Sequence, residues 1–259
     1  MKKLYSFIAT MVISIVVFGQ VSLTTLNTAY TQNFDGLAST GTGTGTVTTT
    51  GTSGSKVASV ILSGSLSGWY FVETTTNADG VYTASTGSAT AGDTYSYGAS
   101  SSTERALGSI ASGNLLSRYG AQFTNNTGNT IDQLDISYVG EEWRFDPARG
   151  TTIKDQITFE YSTDATSLTT GTWTAVTALL YETTNLTGTV GTRNGNDAAY
   201  RTSLSNTITG LNIPVGQIFW IRFVDINVSG TDDGLAIDDF SLTPKNSTLS
   251  VGDVIKSKN

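Results

Sequence analysis

The chain has 259 residues, no cysteine, no histidine and a formal net charge of −7 at pH 7. The absence of histidine excludes His-based catalytic triads and His-ligated zinc, and the absence of cysteine excludes thiolate sites. An acidic chain is repelled by phosphate backbones, so no nucleic-acid binding is expected, and a divalent cation is the more natural charged partner. Only 14% of the residues are charged and 28 are glycine, which is typical of an all-β extracellular protein.

Residues 1–20 have the pattern of a secretory signal peptide. Lys2 and Lys3 form a positive start, a mainly apolar run follows, and Val17 and Gly19 are small enough for a cleavage site. The apolar run is shorter than the roughly 20 residues that span a bilayer. The sequence therefore predicts a secreted or cell-surface protein without stable membrane insertion.

Residues 21–243 contain strand patterns and no sustained helical period. Residues 38–55 are a Thr/Gly-rich run without apolar periodicity, which favours a long exposed loop, with a flat ribbon of Thr ladders as the alternative. Beyond this run, residues 115–124, 131–145, 154–162 and 202–211 alternate or continue as strands do. We predict an all-β fold, a two-sheet antiparallel β-sandwich of jelly-roll-like order. Residues 244–259 are polar and predict a linker towards a further segment.

The segment 217–242 is predicted to form two core strands around an acidic turn. Phe219, Ile221 and Phe223 share one face of the first strand, and Leu235 and Ile237 are apolar in the second. Five aspartates fall within fifteen positions, which calls for a cation or for strong hydrogen bonding: Asp225, Asp232, Asp233, Asp238 and Asp239. Adjacent residues of a strand point to opposite faces, so at most one of Asp238 and Asp239 can be a side-chain ligand of one site.

Glu141 and Glu142 raise the alternative of a glycoside hydrolase, which uses two carboxylates on either side of the bond that it cleaves. Neighbouring residues in a strand diverge, so a second acid such as Glu104 or Glu160 would have to complete the pair. The simpler interpretation is that these glutamates form ion pairs or cap loops. We therefore predict no catalytic residues.

Several aromatic residues could form a platform on which sugar rings stack. The candidate ligand-binding residues are Trp69, Tyr70, Trp143 and Arg144, and Trp143 is expected to be half exposed because it lies between Glu142 and Arg144. The alternative is that these aromatics belong to the core of the sandwich.

Five short motifs follow one another along the chain: NFDGL from Asn33, GWY from Gly68, ERALGS from Glu104, GEEWR from Gly140 and GLAIDDF from Gly234. Their order resembles a family of secreted bacterial β-sandwich modules, the choice-of-anchor type, which lie upstream of diverse anchoring tails. The resemblance implies no enzymatic activity. Residues 249–258 resemble the segment that leads into the C-terminal sorting domain of type IX secretion, although the aromatic–Pro-Asn-Pro hallmark of that domain is missing. This likeness implies a Gram-negative bacterium.

A more distant resemblance connects the early Phe-Asp and Gly-Trp and the late Ala-Ile-Asp-Asp with MAM domains and with carbohydrate-binding jelly rolls. In those domains the first and last strands lie side by side and a structural Ca²⁺ is bound at their ends. The resemblance implies Asp35, Asp238 and Asp239 as calcium ligands here. The MAM cysteines are absent, so the likeness supports the architecture more than the function.

Three functional hypotheses remain open from the sequence. The preferred one is a non-catalytic secreted or cell-surface module for adhesion, binding glycans or extracellular matrix. The second is a structural spacer in a surface protein, and the third is a polysaccharide-active hydrolase with paired carboxylates.

Overall fold

The computed structural model describes residues 19–52, 54–183 and 185–247. Most of the predicted signal peptide and of the predicted C-terminal linker lies outside these residues. Residues 244 and 245 belong to the last strand, so the predicted linker can begin only after them.

Strands are the dominant regular structure of the described part of the chain. In chain order they are β1 (Val21–Leu23), β2 (Tyr30–Gln32), β3 (Thr42–Gly43), β4 (Thr46–Thr50), β5 (Val57–Ile61), β6 (Trp69–Thr74), β7 (Tyr82–Ser85), β8 (Asp93–Tyr97), β9 (Ala106–Ile110), β10 (Leu116–Asn125), β11 (Ile131–Phe145), β12 (Gln156–Ser162), β13 (Thr174–Ala175), β14 (Tyr181–Glu182), β15 (Gly191–Thr192), β16 (Arg201–Ile213), β17 (Ile218–Asp225) and β18 (Gly234–Lys245). Three short turns of 3₁₀ helix span Gly64–Leu66, Pro147–Arg149 and Thr177–Leu179. Within the described ranges no helix has the length and hydropathy needed to cross a membrane.

The strands form two sheets of nine strands each, mostly antiparallel, so the predicted β-sandwich is confirmed. Sheet A has the order β13-β12-β17-β10-β6-β5-β4, with β1 beside β10 and β14 beside β12. Sheet B has the order β15-β11-β18-β9-β8-β7-β3, with β16 beside β11 and β2 beside β18. From β9 to β12, and again from β16 to β18, successive long strands alternate between the two sheets. This alternation agrees with the jelly-roll-like order expected from the sequence.

The core lies between the sheets because alternate residues of the long strands are apolar. Phe219, Ile221 and Phe223 of β17 all point into it, as their two-residue period predicted. On the facing sheet, Leu235 and Ile237 of β18 are fully buried in the same cluster. The aromatic residues of the core pack edge-to-face or stacked around Phe223.

The early strand β2 and the last strand β18 lie side by side. They are antiparallel, with Gln32 opposite Phe240 and Tyr30 opposite Leu242. The prediction that an early strand and the last strand of the chain lie side by side is therefore confirmed. A strand that we did not predict, β1, precedes β2 and pairs with β10 in the other sheet.

The Thr/Gly-rich run of residues 38–55 is exposed, as predicted, but its central part is not a loop. Residues Thr46–Thr50 form β4, an edge strand of sheet A whose five residues are all exposed and which pairs with β5. Threonine and valine favour extended backbone, and the neighbouring strand supplies hydrogen-bond partners on one side. Because the run has no apolar alternation, the sequence indicated a strand here only as the alternative, a flat ribbon of Thr ladders.

Candidate functional site

A shallow groove crosses the outer face of sheet B, from β16 over β11 and β18 to β2. It consists of three adjoining cavities of about 340, 180 and 510 Å³. The second shares Ser137 and Ser205 with the first, and it shares Asp239 with the third. We call it the cross-strand groove. Hydroxyl side chains dominate its lining: Thr31, Ser65, Ser67, Ser137, Ser203, Ser205, Thr207, Ser241 and Thr243.

The register of the sheet places these hydroxyls in rows. Ser137 of β11 lies opposite Ser205 of β16 on one side and Ser241 of β18 on the other, and Ser241 lies opposite Thr31 of β2. Because side chains alternate across a strand, the same strands turn Ile136 and Leu242 into the core. The result is a polar outer face on a fully packed sheet.

Two ion pairs lie along the groove. Arg201 and Asp239 approach to 3.5 Å near its middle, and Asp135 pairs with Lys245 near one end. Asp239 has a φ of 50° where β18 carries a bulge opposite β11, and this bulge turns its side chain outwards next to the buried Asp238. The groove therefore offers hydroxyls, two carboxylates and two cationic groups.

The three aspartates predicted as metal ligands occupy different environments. Asp238 is buried, Asp239 is exposed and paired with Arg201, and Asp35 is exposed. Asp35 accepts hydrogen bonds from the Asn33 amide at 2.6 Å and from the Arg105 backbone N–H at 3.1 Å. The two neighbouring carboxylates make different contacts: that of Asp239 pairs with Arg201, whereas that of Asp238 lies beside two glutamates.

Asp238 meets two glutamates that the sequence did not assign to a metal site. One carboxylate oxygen each from Glu104, Glu141 and Asp238 lie within 4.8 Å of one another. We call these three residues the carboxylate triad. Burial, together with the neighbouring carboxylates, raises the pKa of Glu141 to about 7 and that of Asp238 to about 9, although the Trp143 indole and Arg201 oppose the shift of Glu141. Like charges close together in a buried place resist ionisation unless a positive charge joins them.

Glu141 and Glu142 do not form a catalytic pair, because they point to opposite faces of β11. Glu141 accepts a 2.8 Å hydrogen bond from the Trp143 indole, whereas Glu142 accepts one of 2.7 Å from the Asn185 amide. Both glutamates are at most 1% exposed. Glu160, the other acid considered, lies on sheet A and forms an ion pair with Arg222 at 2.6 Å.

Trp69 and Tyr70 do not form a shared sugar-binding platform. They are neighbours on β6 and therefore lie on opposite faces of sheet A. Trp69 is fully buried between the sheets and donates a 2.9 Å hydrogen bond from its indole to the Tyr30 hydroxyl. Tyr70 packs on the outer face against Trp220, with the ring centroids 4.8 Å apart.

The expectation that Trp143 is half exposed is wrong, since it is 1% exposed. Its ring stacks on Tyr97 at 6.0 Å, and Gly195 of the loop 193–200 packs so closely that a Cβ there would lie 2.4 Å from the indole nitrogen. The sequence of this loop is mainly polar and has no apolar pattern, so it gave no indication that the loop covers a tryptophan. Trp69 thus belongs to the core between the sheets, as in the alternative interpretation, whereas Trp143 is buried in a second apolar cluster on the outer face of sheet B.

Arg144 lies in a separate place, a cleft of about 410 Å³ between loops at one end of the sandwich. It pairs there with Asp146 at 3.6 Å, and Asp232 lines the same cleft. The four predicted ligand-binding residues are therefore divided among the core, the outer face of sheet A, the outer face of sheet B and this cleft.

Comparison with known proteins identifies no family, since no family model matches this sequence and no curated protein matches it. Several solved structures, among them the following three, are similar to part of the chain. One is TmCBM61 in complex with β-1,4-galactotriose, at 14% identity and a TM-score of 0.31, covering 56% of this chain and 74% of that one. Another is the K3 cleaved adhesin domain of Lys-gingipain from Porphyromonas gingivalis w83. Its sequence identity is 12% and its TM-score 0.34, and the match covers 57% of this chain and 78% of that one.

The third is the CBM22-1–GH10 part of endo-1,4-β-D-xylanase 10B from Clostridium thermocellum, complexed with xylohexaose. Its identity is 12% and its TM-score 0.29, and the match covers 57% of this chain and 23% of that one. These likenesses are too distant to say what the present chain binds.

Proposed function

We propose that this domain is a non-catalytic, extracellular binding module and that the cross-strand groove binds an extended, hydroxyl-rich polymer, most simply a polysaccharide. The observation that carries the proposal is the row of hydroxyl side chains that runs continuously over four strands of sheet B. Adhesion to a glycan-bearing surface or matrix is the biological role that such a module would serve.

The dimensions of the groove favour a chain-like ligand. Neighbouring strands lie about 4.8 Å apart, so the outer two of the four strands are separated by roughly 14 Å, the length of about three pyranose rings. Hydroxyls can both donate and accept hydrogen bonds, which matches the chemistry of sugar hydroxyls. The Tyr30 ring packs against the core and its hydroxyl accepts the Trp69 indole hydrogen bond, so the hydroxyl side chains are the groups that would contact the ligand in this groove.

The charges along the groove favour binding over hydrolysis. A glycosidase needs one protonated and one ionised carboxyl group on either side of the scissile bond. The two carboxylates that line the groove, Asp135 and Asp239, are each neutralised by a basic partner. This arrangement supports a module that holds its ligand without cleaving it.

The test is a glycan array probed with the purified full chain, followed by calorimetric titration of the best soluble polysaccharide. The double variant Ser137→Val, Ser205→Val removes two hydroxyl groups from the centre of the groove. Valine favours β-strands, so the fold of the sheet should be preserved. We expect its affinity to fall at least about tenfold, because unpaired polar groups of the ligand would be left in the groove.

Two controls separate the groove from other surfaces. Thr48→Val removes a hydroxyl from the exposed strand β4 of the other sheet, and Arg144→Ala alters the loop-end cleft. Both should bind as the wild type does. Loss of binding in Arg144→Ala with full binding in the groove variant would move the ligand site to the cleft, and a folded protein that binds no glycan would end the proposal.

A further inference from the structure

The carboxylate triad joins residues from three parts of the chain that are far apart in sequence. Glu104 lies just before β9, Glu141 lies on β11 and Asp238 lies on β18, and these strands are neighbours in sheet B. One oxygen from each carboxylate lies within 4.8 Å of those of the other two. Antiparallel pairing of β18 with both other strands fixes this convergence.

Each carboxylate of the triad also has one buried oxygen without a hydrogen-bond partner among the described residues. Oε1 of Glu104, Oε1 of Glu141 and Oδ1 of Asp238 are buried and accept no hydrogen bond from any described residue. Glu141 is fully buried and Asp238 is 4% exposed. A buried carboxylate oxygen without a partner costs free energy, so three at one point indicate a missing positive partner.

The protein supplies such a partner only in part: the positive charge of Arg201 lowers the pKa of Glu141, but its guanidinium forms an ion pair with Asp239. None of the ion pairs within the described part of the chain involves a residue of the triad. The nearest basic residues are engaged elsewhere: Arg201 pairs with Asp239, and the Arg105 guanidinium binds the hydroxyl and carbonyl groups of Ser96.

We propose that Glu104, Glu141 and Asp238 bind one hard divalent cation, for which Ca²⁺ is the best match. Three carboxylates supply only oxygen ligands, which suit calcium rather than zinc or copper, and the flexible geometry of calcium tolerates an irregular oxygen set. The ion would connect the segment just before β9 with β11 and β18, on the same face of sheet B as the cross-strand groove. This proposal does not depend on a glycan ligand.

The proposed ligands differ from those that the family resemblance implies. Of Asp35, Asp238 and Asp239, only Asp238 belongs to the triad, because Asp239 points outwards and Asp35 is held by Asn33 and Arg105. The resemblance and the geometry can therefore be separated by mutation.

Terbium luminescence tests the site directly, because the Trp143 indole is hydrogen-bonded to Glu141. The purified full chain is treated with EDTA, returned to chelator-free buffer and titrated with Tb³⁺. We expect tryptophan-sensitised emission that CaCl₂ competes away. Trp143→Phe should remove most of this emission, whereas Trp173→Phe, next to sheet A, should leave it unchanged.

Thermal unfolding gives a second measurement that does not depend on fluorescence. A Ca²⁺ concentration of 100 times Kd should raise the Tm by about 5–10 °C. Glu141→Gln and Asp238→Asn should abolish the shift yet remain folded, because each replaces a buried carboxyl group with an amide of nearly the same shape. Asp135→Asn, on the same face of β11 but outside the triad, should keep it.

Three results would overturn the proposal. The first is a wild-type protein with no Tb³⁺ emission and no Tm shift with Ca²⁺, Mg²⁺ or Mn²⁺. The second is a Ca²⁺ shift that survives in both Glu141→Gln and Asp238→Asn. The third is a shift lost in Asp35→Asn but kept in Glu141→Gln, which would assign the ion to the ligands implied by the resemblance.

Discussion

Arg149 and Asp233 form a fully buried ion pair, with two N–O distances of 2.5 Å between the guanidinium and the carboxylate. The pair joins the 3₁₀ turn after β11 to the loop before β18. The same carboxylate accepts the backbone N–H of Asp146 at 2.7 Å. A buried bidentate pair of this kind fixes the geometry of the loops, whatever its net contribution to stability.

Removing the basic member of this pair should be strongly destabilising. Arg149→Met leaves Asp233 buried without its counter-charge, close to Asp155 and Asp232, and we expect a loss of about 3–5 kcal/mol in the free energy of unfolding. Urea denaturation measures the loss. Lys154→Met breaks the exposed pair with Glu182 and should cost no more than about 1 kcal/mol. Equal losses in both variants would contradict the interpretation.

Asp225 should make the protein less stable as the pH rises. Burial, with a smaller contribution from the carboxylates of Asp232 and Asp233, raises its pKa to about 7. The groups facing this region are Asp155, Asp232, Asp233, Arg149 and the hydroxyls of Tyr97 and Tyr119. Between the unfolded pKa of about 3.9 and the folded pKa, the native state keeps a proton that the unfolded chain has released. This stabilisation is complete below about pH 4 and is lost as the pH rises through about 7.

The variant Asp225→Asn removes the titration while keeping an acceptor for the Ser109 hydroxyl, which now donates to Asp225 at 2.7 Å. We expect its Tm to exceed that of the wild type by several degrees at pH 8 and by much less at pH 4. Melting curves at pH 4, 6 and 8 measure the difference. A difference that stays constant over this range would show that Asp225 does not titrate between those limits.

The sequence predicted the parts of the structure in which a local pattern determines the outcome. The alternation in β17 correctly predicted that Phe219 and Phe223 lie on the buried face of the strand. The strand predicted over residues 131–145 coincides with β11. It could not predict which distant residues meet across the sheet. Glu104 and Glu141 lie close to Asp238 only because strands that are far apart in sequence are neighbours in sheet B. The loop that covers Trp143 likewise follows it by about fifty residues.

Phe223 lies at the centre of the aromatic core, and its truncation should be among the most damaging single changes. Its ring contacts Tyr119, Tyr138, Phe159 and Phe240 at centroid distances between 4.9 and 6.2 Å. Phe223→Ala should lower the free energy of unfolding by about 3–5 kcal/mol through lost burial and a cavity.

Chemical denaturation would measure that loss, and Ile218→Ala on the same strand provides the control. Ile218 is 41% exposed, so its truncation should change stability by about 0.5 kcal/mol or less. A small effect of Phe223→Ala would mean that the core between the sheets is less closely packed than the ring contacts indicate.

Gly140 provides a test of close packing under sheet B. The Tyr181 ring lies against its backbone, and a Cβ at position 140 would come within 2.3 Å of that ring. Gly140→Ala should therefore destabilise the protein by about 1–3 kcal/mol through overpacking. Gly113→Ala is the matched control, because a Cβ there meets nothing within 4 Å. In a double-mutant cycle, Tyr181→Leu should reduce the cost of the alanine at position 140. Additive losses in that cycle would show that the clash is relieved elsewhere and that the contact between residues 140 and 181 does not set the spacing.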